Sequence, residues 1–260
     1  MKSIIDSCQK YCIYQITDYV QRLDFIDIDF STIRKEIFQL ISKNKYGVNV
    51  VSLRLPKGDN NYLDSGEKLE IDAERHFWHT DQPTRVNIRH NREYLEWHPD
   101  LKDSYVSSLP ALFTRLTGFK IGRVRLAWLM PNSGYPIHCD LEPTRFHIPL
   151  ITNPYSYIIH DHKIYNMMYG NVYHLITAKD HTAHNFGNLP RLHLVFSTYL
   201  DKEFEDSIEE LSNNTAIKSK TIDLNQQHLT DSYTLFNLST FTKETHPEIS
   251  AYCKELGSKL

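Results

Sequence analysis

At 260 residues the chain is long enough to bury a sizeable core. A formal charge of −3 with no dense Lys/Arg run argues against a nucleic-acid partner. Four cysteines (Cys8, Cys12, Cys139, Cys253) form neither a C-x-x-C pair nor a disulfide framework. No leader pattern opens the sequence and no stretch approaches about 18 apolar residues, so a cytoplasmic protein without a membrane segment is expected.

In chain order, "DFSTIRKEIFQLISKNKYG" predicts an amphipathic helix. Ser31 or Thr32 would cap it, Ile33, Ile37, Phe38, Leu40 and Ile41 form its buried stripe, and Gly47 ends it. "VNVVSLRLP" (48–56) reads as one strand stopped by Pro56. The polar, turn-rich segment 57–95 reads as loop with short strands, suited to a lid or a peptide groove. "SSLPALFTRLTG" (107–118) predicts a short helix with a Ser cap and a closing Gly. In "FKIGRVRLAWLMP" (119–131), Val124, Leu126, Trp128 and Met130 share one strand face, and Arg123, Arg125, Ala127 and Leu129 share the other. Closely spaced strand-like runs punctuated by turn residues continue to residue 200 and predict a jelly roll or barrel. Beyond Leu200 the pattern turns acidic and helical, with Thr245 capping a last helix. Three regions are therefore expected: 1–118, an N-terminal helical and β support region; 119–200, a β-core; and 201–260, a helical appendage that packs on the core or joins two copies.

The stretch "PIHCDLEPTRFHIPL" (136–150) carries the chemistry. In an extended chain His138 and Asp140 face one side together, as do Arg145 and His147. Polar groups on one side of a strand that enters the core line a cavity. A second imidazole added to His138 and Asp140 would complete the two-His, one-carboxylate set that binds Fe(II) with three positions left open. His181 supplies it, and Arg191 follows ten residues later at the start of an apolar strand. A guanidinium there suits the far carboxylate of a dicarboxylic acid that chelates the metal through a 2-oxo acid end.

The pattern H-x-D, some forty residues, then H-x-x-x-N-x-G-x-x-x-R-x-H-L resembles the aspartyl/asparaginyl β-hydroxylase family of Fe(II)- and 2-oxoglutarate-dependent oxygenases. It is carried by His138, Asp140, Arg145, His147, Gly170, His181, Asn185, Gly187, Arg191 and His193 and spans about 120–200. The resemblance implies a mainly β fold with flanking helices around a double-stranded β-helix. It implies His138, Asp140 and His181 as iron ligands, Arg191 and His147 as contacts of 2-oxoglutarate, and Arg145 nearer the substrate; apart from the resemblance, Arg125 is a candidate second cation for a substrate carboxylate. The reaction implied is O₂-dependent hydroxylation of an unactivated carbon of an amino acid, free or within a peptide, coupled to conversion of 2-oxoglutarate to succinate. Ala127 stands where some members carry a serine that helps hold the co-substrate. Asp140 keeps the carboxylate that halide-using relatives lack, which argues for hydroxylation.

Other readings compete for the same residues. His184 is a rival to His181, but the two would face opposite sides of a strand. His79-Thr80-Asp81 is a second H-x-D, set in polar loop sequence. His160 and His162 flank a hairpin turn and are expected at the surface. Arg123 and Arg125 line the pocket or face solvent, and Arg85 is a further substrate cation. In function, the alternatives are a β-barrel that senses 2-oxoglutarate or a metal without turnover, and an interaction scaffold.

Overall fold

The computed structural model describes residues 4–46, 50–63, 68–72, 84–86, 91–135, 140, 144–160, 163–179, 181–199, 219–223 and 228–229, with Pro247, Ser250, Ala251, Lys254, Glu255 and Ser258. Three helices are α1 (Ile4–Gln9), α2 (Phe30–Asn44) and α3 (Tyr105–Thr117). The strands are β1 (Val20–Arg22), β2 (Val51–Ser52), β3 (Arg54–Pro56), β4 (Lys68–Asp72), β5 (Thr84–Val86), β6 (Tyr94–Trp97), β7 (Lys120–Leu129) and β8 (Ser133–Gly134). They continue as β9 (Thr144–Ile151), β10 (Ser156–His160), β11 (Lys163–Tyr165), β12 (Tyr173–Ile176), β13 (His181–Asn185), β14 (Arg191–Tyr199), β15 (Ser219–Asp223) and β16 (His228–Leu229).

Two antiparallel sheets build the core. One runs β1-β12-β9-β14-β7-β2, the other β11-β10-β13-β8-β16. From β9 to β14 the chain passes between them, β9 in the first, β10 and β11 in the second, then back to β12, out to β13 and back to β14. This is the expected double-stranded β-helix. The expected strand over 48–56 is instead two. β2 joins the large sheet, β3 pairs with β6, and Leu53 between them still donates its N–H to Val124 O at 2.7 Å. The 201–260 region, expected as a helical appendage, contributes β15 against β4 and β16 against β8 between its two expected helices, and Pro247, Ser250, Ala251, Lys254 and Glu255 of the second are helical as expected. Thr221 and Ile222 are β-branched residues that favour this. The acidic run at 201–214 and Thr245 lie outside the described residues, as does Gly47.

Strand alternation decides what each face does. Val124, Leu126, Phe146, Ile148, Leu192, Leu194 and Phe196 turn outward, into the main hydrophobic core with Ile33, Ile37 and Leu40 of α2 and Leu109 and Phe113 of α3. Phe113 meets Phe146 at 5.1 Å and Phe196 at 4.9 Å between ring centroids. Asp29, rather than Ser31 or Thr32, caps α2, because its carboxylate accepts both of their N–H groups and both hydroxyls. Ser104 caps α3, three residues before Ser107 of the expected stretch, and Gly118 closes it at φ 86°. No helix among the described residues is long and apolar enough to cross a membrane.

Candidate active site

The inner face of the large sheet carries the other residue set. In the register, Val195 of β14 lies between Arg125 of β7 and His147 of β9. His193 lies between Ala127 and Pro149, and Ser197 faces Arg145. Arg125, Ala127, Arg145, His147, Arg191 and Val195 therefore point toward the second sheet. With Tyr135, Thr177, His181 and an apolar side of Val50, Ile158, Leu175 and Ala183 they enclose a cavity of about 60 Å³. Arg125 is buried against this cavity, and Arg123 is buried on the same strand with its guanidinium over the Tyr94 ring.

Asp140 touches two of the side chains that line this cavity, His181 and Arg145. Asp140 Oδ2 lies 3.5 Å from His181 Nε2 and 2.7 Å from Arg145 Nη1, and all three side chains are buried. His181 Nδ1 is 2.9 Å from Lys179 O, so it carries the proton and donates it to that carbonyl. In the neutral ring Nε2 is then the lone-pair nitrogen, and it faces a carboxylate oxygen. Two facing electron-pair donors suit a bound cation, and a backbone carbonyl on the far ring nitrogen is the usual support of a metal-ligating histidine. Among the described residues no group of three His, Cys, Asp or Glu side chains forms here. His138 lies outside them, with Cys139 and the His79–Asp81 motif.

His184 takes the opposite face of β13, as alternation requires. Its ring packs over Gly134, where a Cβ would come within 2.2 Å of Nδ1, and stacks on Phe186. His160 departs from the expected surface position and is fully buried. β10 pairs on both sides, with β11 and β13, so the hairpin end is enclosed. There the His160 ring stacks between Tyr19 at 4.9 Å and His181 at 5.7 Å, and Nε2–H donates to Ile176 O. His162 and the Arg85 side chain lie outside the described residues.

Arg191 is a buried cation. It is 4 % exposed, and among the described residues its guanidinium has one hydrogen-bond partner, His193 Nδ1 at 3.2 Å, and no carboxylate. Burial lowers its pKa to about 10, which leaves it charged at neutral pH. Burial first, then the neighbouring guanidiniums, push His147 and His193 well below the ordinary imidazole range, so both are neutral there. Tyr135 was not singled out in the sequence. It lines the cavity and donates its hydroxyl to Trp128 O at 3.2 Å. Its only signal was its place just ahead of the H-x-D.

The N-x-G part of the motif is structural. Asn185 donates to Leu129 O and Leu189 O and accepts from Asn153 Nδ2 and Gly187 N, which ties the turn before Arg191 to β7 and β9's exit. A Cβ on Gly187 would sit 2.3 Å from Asn153 Oδ1. Gly187→Ala is therefore expected to cost about 1–3 kcal/mol, as overpacking does. A melting curve should show a loss of several degrees; an unchanged midpoint would mean that the turn yields freely.

The chain matches the family described as aspartyl/asparaginyl beta-hydroxylase over residues 68–199. The match begins well before the β-core and takes in residues 68–95 of the polar segment ahead of it. No curated protein matches the chain. Among solved structures it is similar to AviO1 from Streptomyces viridochromogenes Tue57, at 14 % identity over 71 % of this chain and 91 % of that one, with a TM-score of 0.41. It is also similar to an oxidoreductase of the 2OG-Fe(II) oxygenase family from Burkholderia pseudomallei, at 13 % identity over 76 % and 91 %, TM-score 0.41. A Pseudomonas putida prolyl-4-hydroxylase matches at 9 % identity over 76 % and 97 %, TM-score 0.40. These likenesses are remote, and the assignment rests on the family match, which spans half of the chain. The chain belongs to the aspartyl/asparaginyl β-hydroxylase family and is a hydroxylase.

Proposed function

We propose that this enzyme uses Fe(II), 2-oxoglutarate and O₂ to hydroxylate an unactivated carbon of an amino acid, free or within a peptide or protein, in the cytoplasm. The observation that carries this reading is the buried Arg191 guanidinium, which has no carboxylate partner among the described residues and shares a cavity with His181 of the Asp140–His181 pair. A dicarboxylic acid bound at one end to a metal and at the other to Arg191 answers both features.

His138, Asp140 and His181 would hold the iron, which when bound supplies O₂ activation coupled to decarboxylation of the co-substrate. Arg191 pairs with the distal carboxylate of 2-oxoglutarate, and His147 borders it. Arg145 orients Asp140 through the 2.7 Å ion pair and, with Arg125, gives the substrate a cationic wall suited to a carboxylate. Ala127, with no hydroxyl to offer, leaves that holding work to Arg191 and His147. Val50, Ile158, Leu175, Ala183 and Val195 keep water from the oxidising centre. Segment 57–95 serves as lid or peptide groove, and 201–260 packs on the core or joins two copies.

The test is a screen of free amino acids and peptides with purified chain, Fe(II) and 2-oxoglutarate in air. One compound should stimulate succinate release and gain one oxygen atom. Binding of 2-oxoglutarate without succinate from any compound would replace this reading with a sensor.

A further inference from the structure

His193 is in the sequence motif but has no assigned role. Its ring is 1 % exposed, between Arg191 and Val195 on the inner face of β14. Arg191 Nη2 and His147 Nδ1 each lie 3.2 Å from its Nδ1, and the His147 and His193 rings meet edge to face at 5.5 Å. A guanidinium can only donate. His193 Nδ1 must therefore be the lone-pair nitrogen, and its proton sits on Nε2. His147 can bond to that same lone pair only as a donor, which places its own proton on Nδ1. Nε2 is then the His147 nitrogen left for the cavity that His147 lines.

We propose that His193 is the positioning residue of the co-substrate end: one buried lone pair holds the Arg191 guanidinium in place and sets the tautomer of His147. The inference rests on the proposed binding of 2-oxoglutarate beside Arg191. A second observation points away from a purely structural role. Among the described residues His193 Nε2 is buried with no hydrogen-bond partner. An unsatisfied buried N–H weakens a fold, so packing alone does not account for an imidazole here. The imidazole earns its place through Nδ1. With its proton on Nδ1, His147 offers the cavity an acceptor. It takes an N–H, an O–H or a bridging water, and leaves the direct carboxylate contact to Arg191.

Two variants separate the lone pair from the ring. His193→Phe keeps the ring and removes the acceptor; His193→Asn restores an acceptor at the Nδ1 position. Calorimetric titration with 2-oxoglutarate in the presence of Mn(II) should show at least tenfold weaker binding for His193→Phe and binding within about threefold of the native chain for His193→Asn. KM for 2-oxoglutarate should rise more than kcat falls. Long-range ¹H–¹⁵N spectra of the histidine side chains should find the His147 proton on Nδ1 in the native chain and redistributed in His193→Phe. Native-strength binding by His193→Phe, equal losses in the two variants, or a native His147 protonated on Nε2 would each overturn the proposal. If the native chain binds no 2-oxoglutarate, the functional reading fails, and the tautomer spectra still decide whether His193 governs His147.

Discussion

Arg191→Leu should raise the dissociation constant for 2-oxoglutarate by two to three orders of magnitude and reduce succinate formation at fixed co-substrate by a similar factor. Removing one partner of a fully desolvated charge pair costs about 2–5 kcal/mol, and each 1.4 kcal/mol is about tenfold in affinity. The guanidinium has the features that place it at that end of the range. It is buried, charged at neutral pH and without a carboxylate among the described residues, so the ligand's carboxylate would be the charge that compensates it. The same features predict that the fold will not suffer. An uncompensated buried charge destabilises a native state, so the unliganded Leu variant should melt at or above the native midpoint. Arg191→Lys should lose at least tenfold in affinity, because an ammonium cannot make the paired, planar contact of a guanidinium. Affinity for 2-oxoglutarate, measured with Mn(II) in place of iron, is the deciding observation. An Arg191→Leu variant that binds as tightly as the native chain would remove Arg191 from the site.

The cavity was partly legible because a strand repeats every two residues. The alternation in "GRVRLAWL" separates Arg125 and Ala127 from Val124 and Leu126, and the structure keeps that separation across β7, β9 and β14. What alternation leaves open is which polar face is inside. A row of arginines reads equally well as a wet surface, and only the second sheet closing over it makes Arg125 a cavity residue. His160 was misjudged for a related reason. A histidine at a hairpin end is usually exposed, but here Tyr19 from β1's approach folds onto it, a contact no local pattern encodes. His193 was visible as part of a motif, yet its work depends on His147, which reaches it diagonally across two paired strands. The Asp140–Arg145 pair is likewise invisible in a spacing that pointed to metal ligation for one residue and substrate binding for the other. At α2 three capping residues lie within four positions, and the carboxylate prevails because it alone can accept from all the nearby donors.

Asp140→Ala tests the metal and the ion pair together, and a second substitution tells them apart. With the carboxylate gone, two of the three expected ligands remain, and Mn(II) affinity should fall by at least two orders of magnitude, with succinate below detection. The fold should weaken too, since Arg145 is left buried beside the missing oxygen. Breaking a buried pair on one side costs about 3–5 kcal/mol, which for a chain of this size is roughly 6–20 °C in midpoint. Asp140→Ala combined with Arg145→Ala removes both charges, and should recover part of that stability while leaving metal affinity as low as in the single variant. The two effects therefore separate: stability follows the pair, and metal binding follows the carboxylate. Asp140→Glu should keep the charge for Arg145 but displace the oxygen from His181 Nε2, giving a chain that melts nearer the native midpoint and still binds metal poorly. Electron paramagnetic resonance of added Mn(II), read beside the melting curves, measures both quantities on the same samples. Metal affinity that survives in Asp140→Ala would make this carboxylate a structural counter-ion to Arg145 and move the metal centre elsewhere in the cavity.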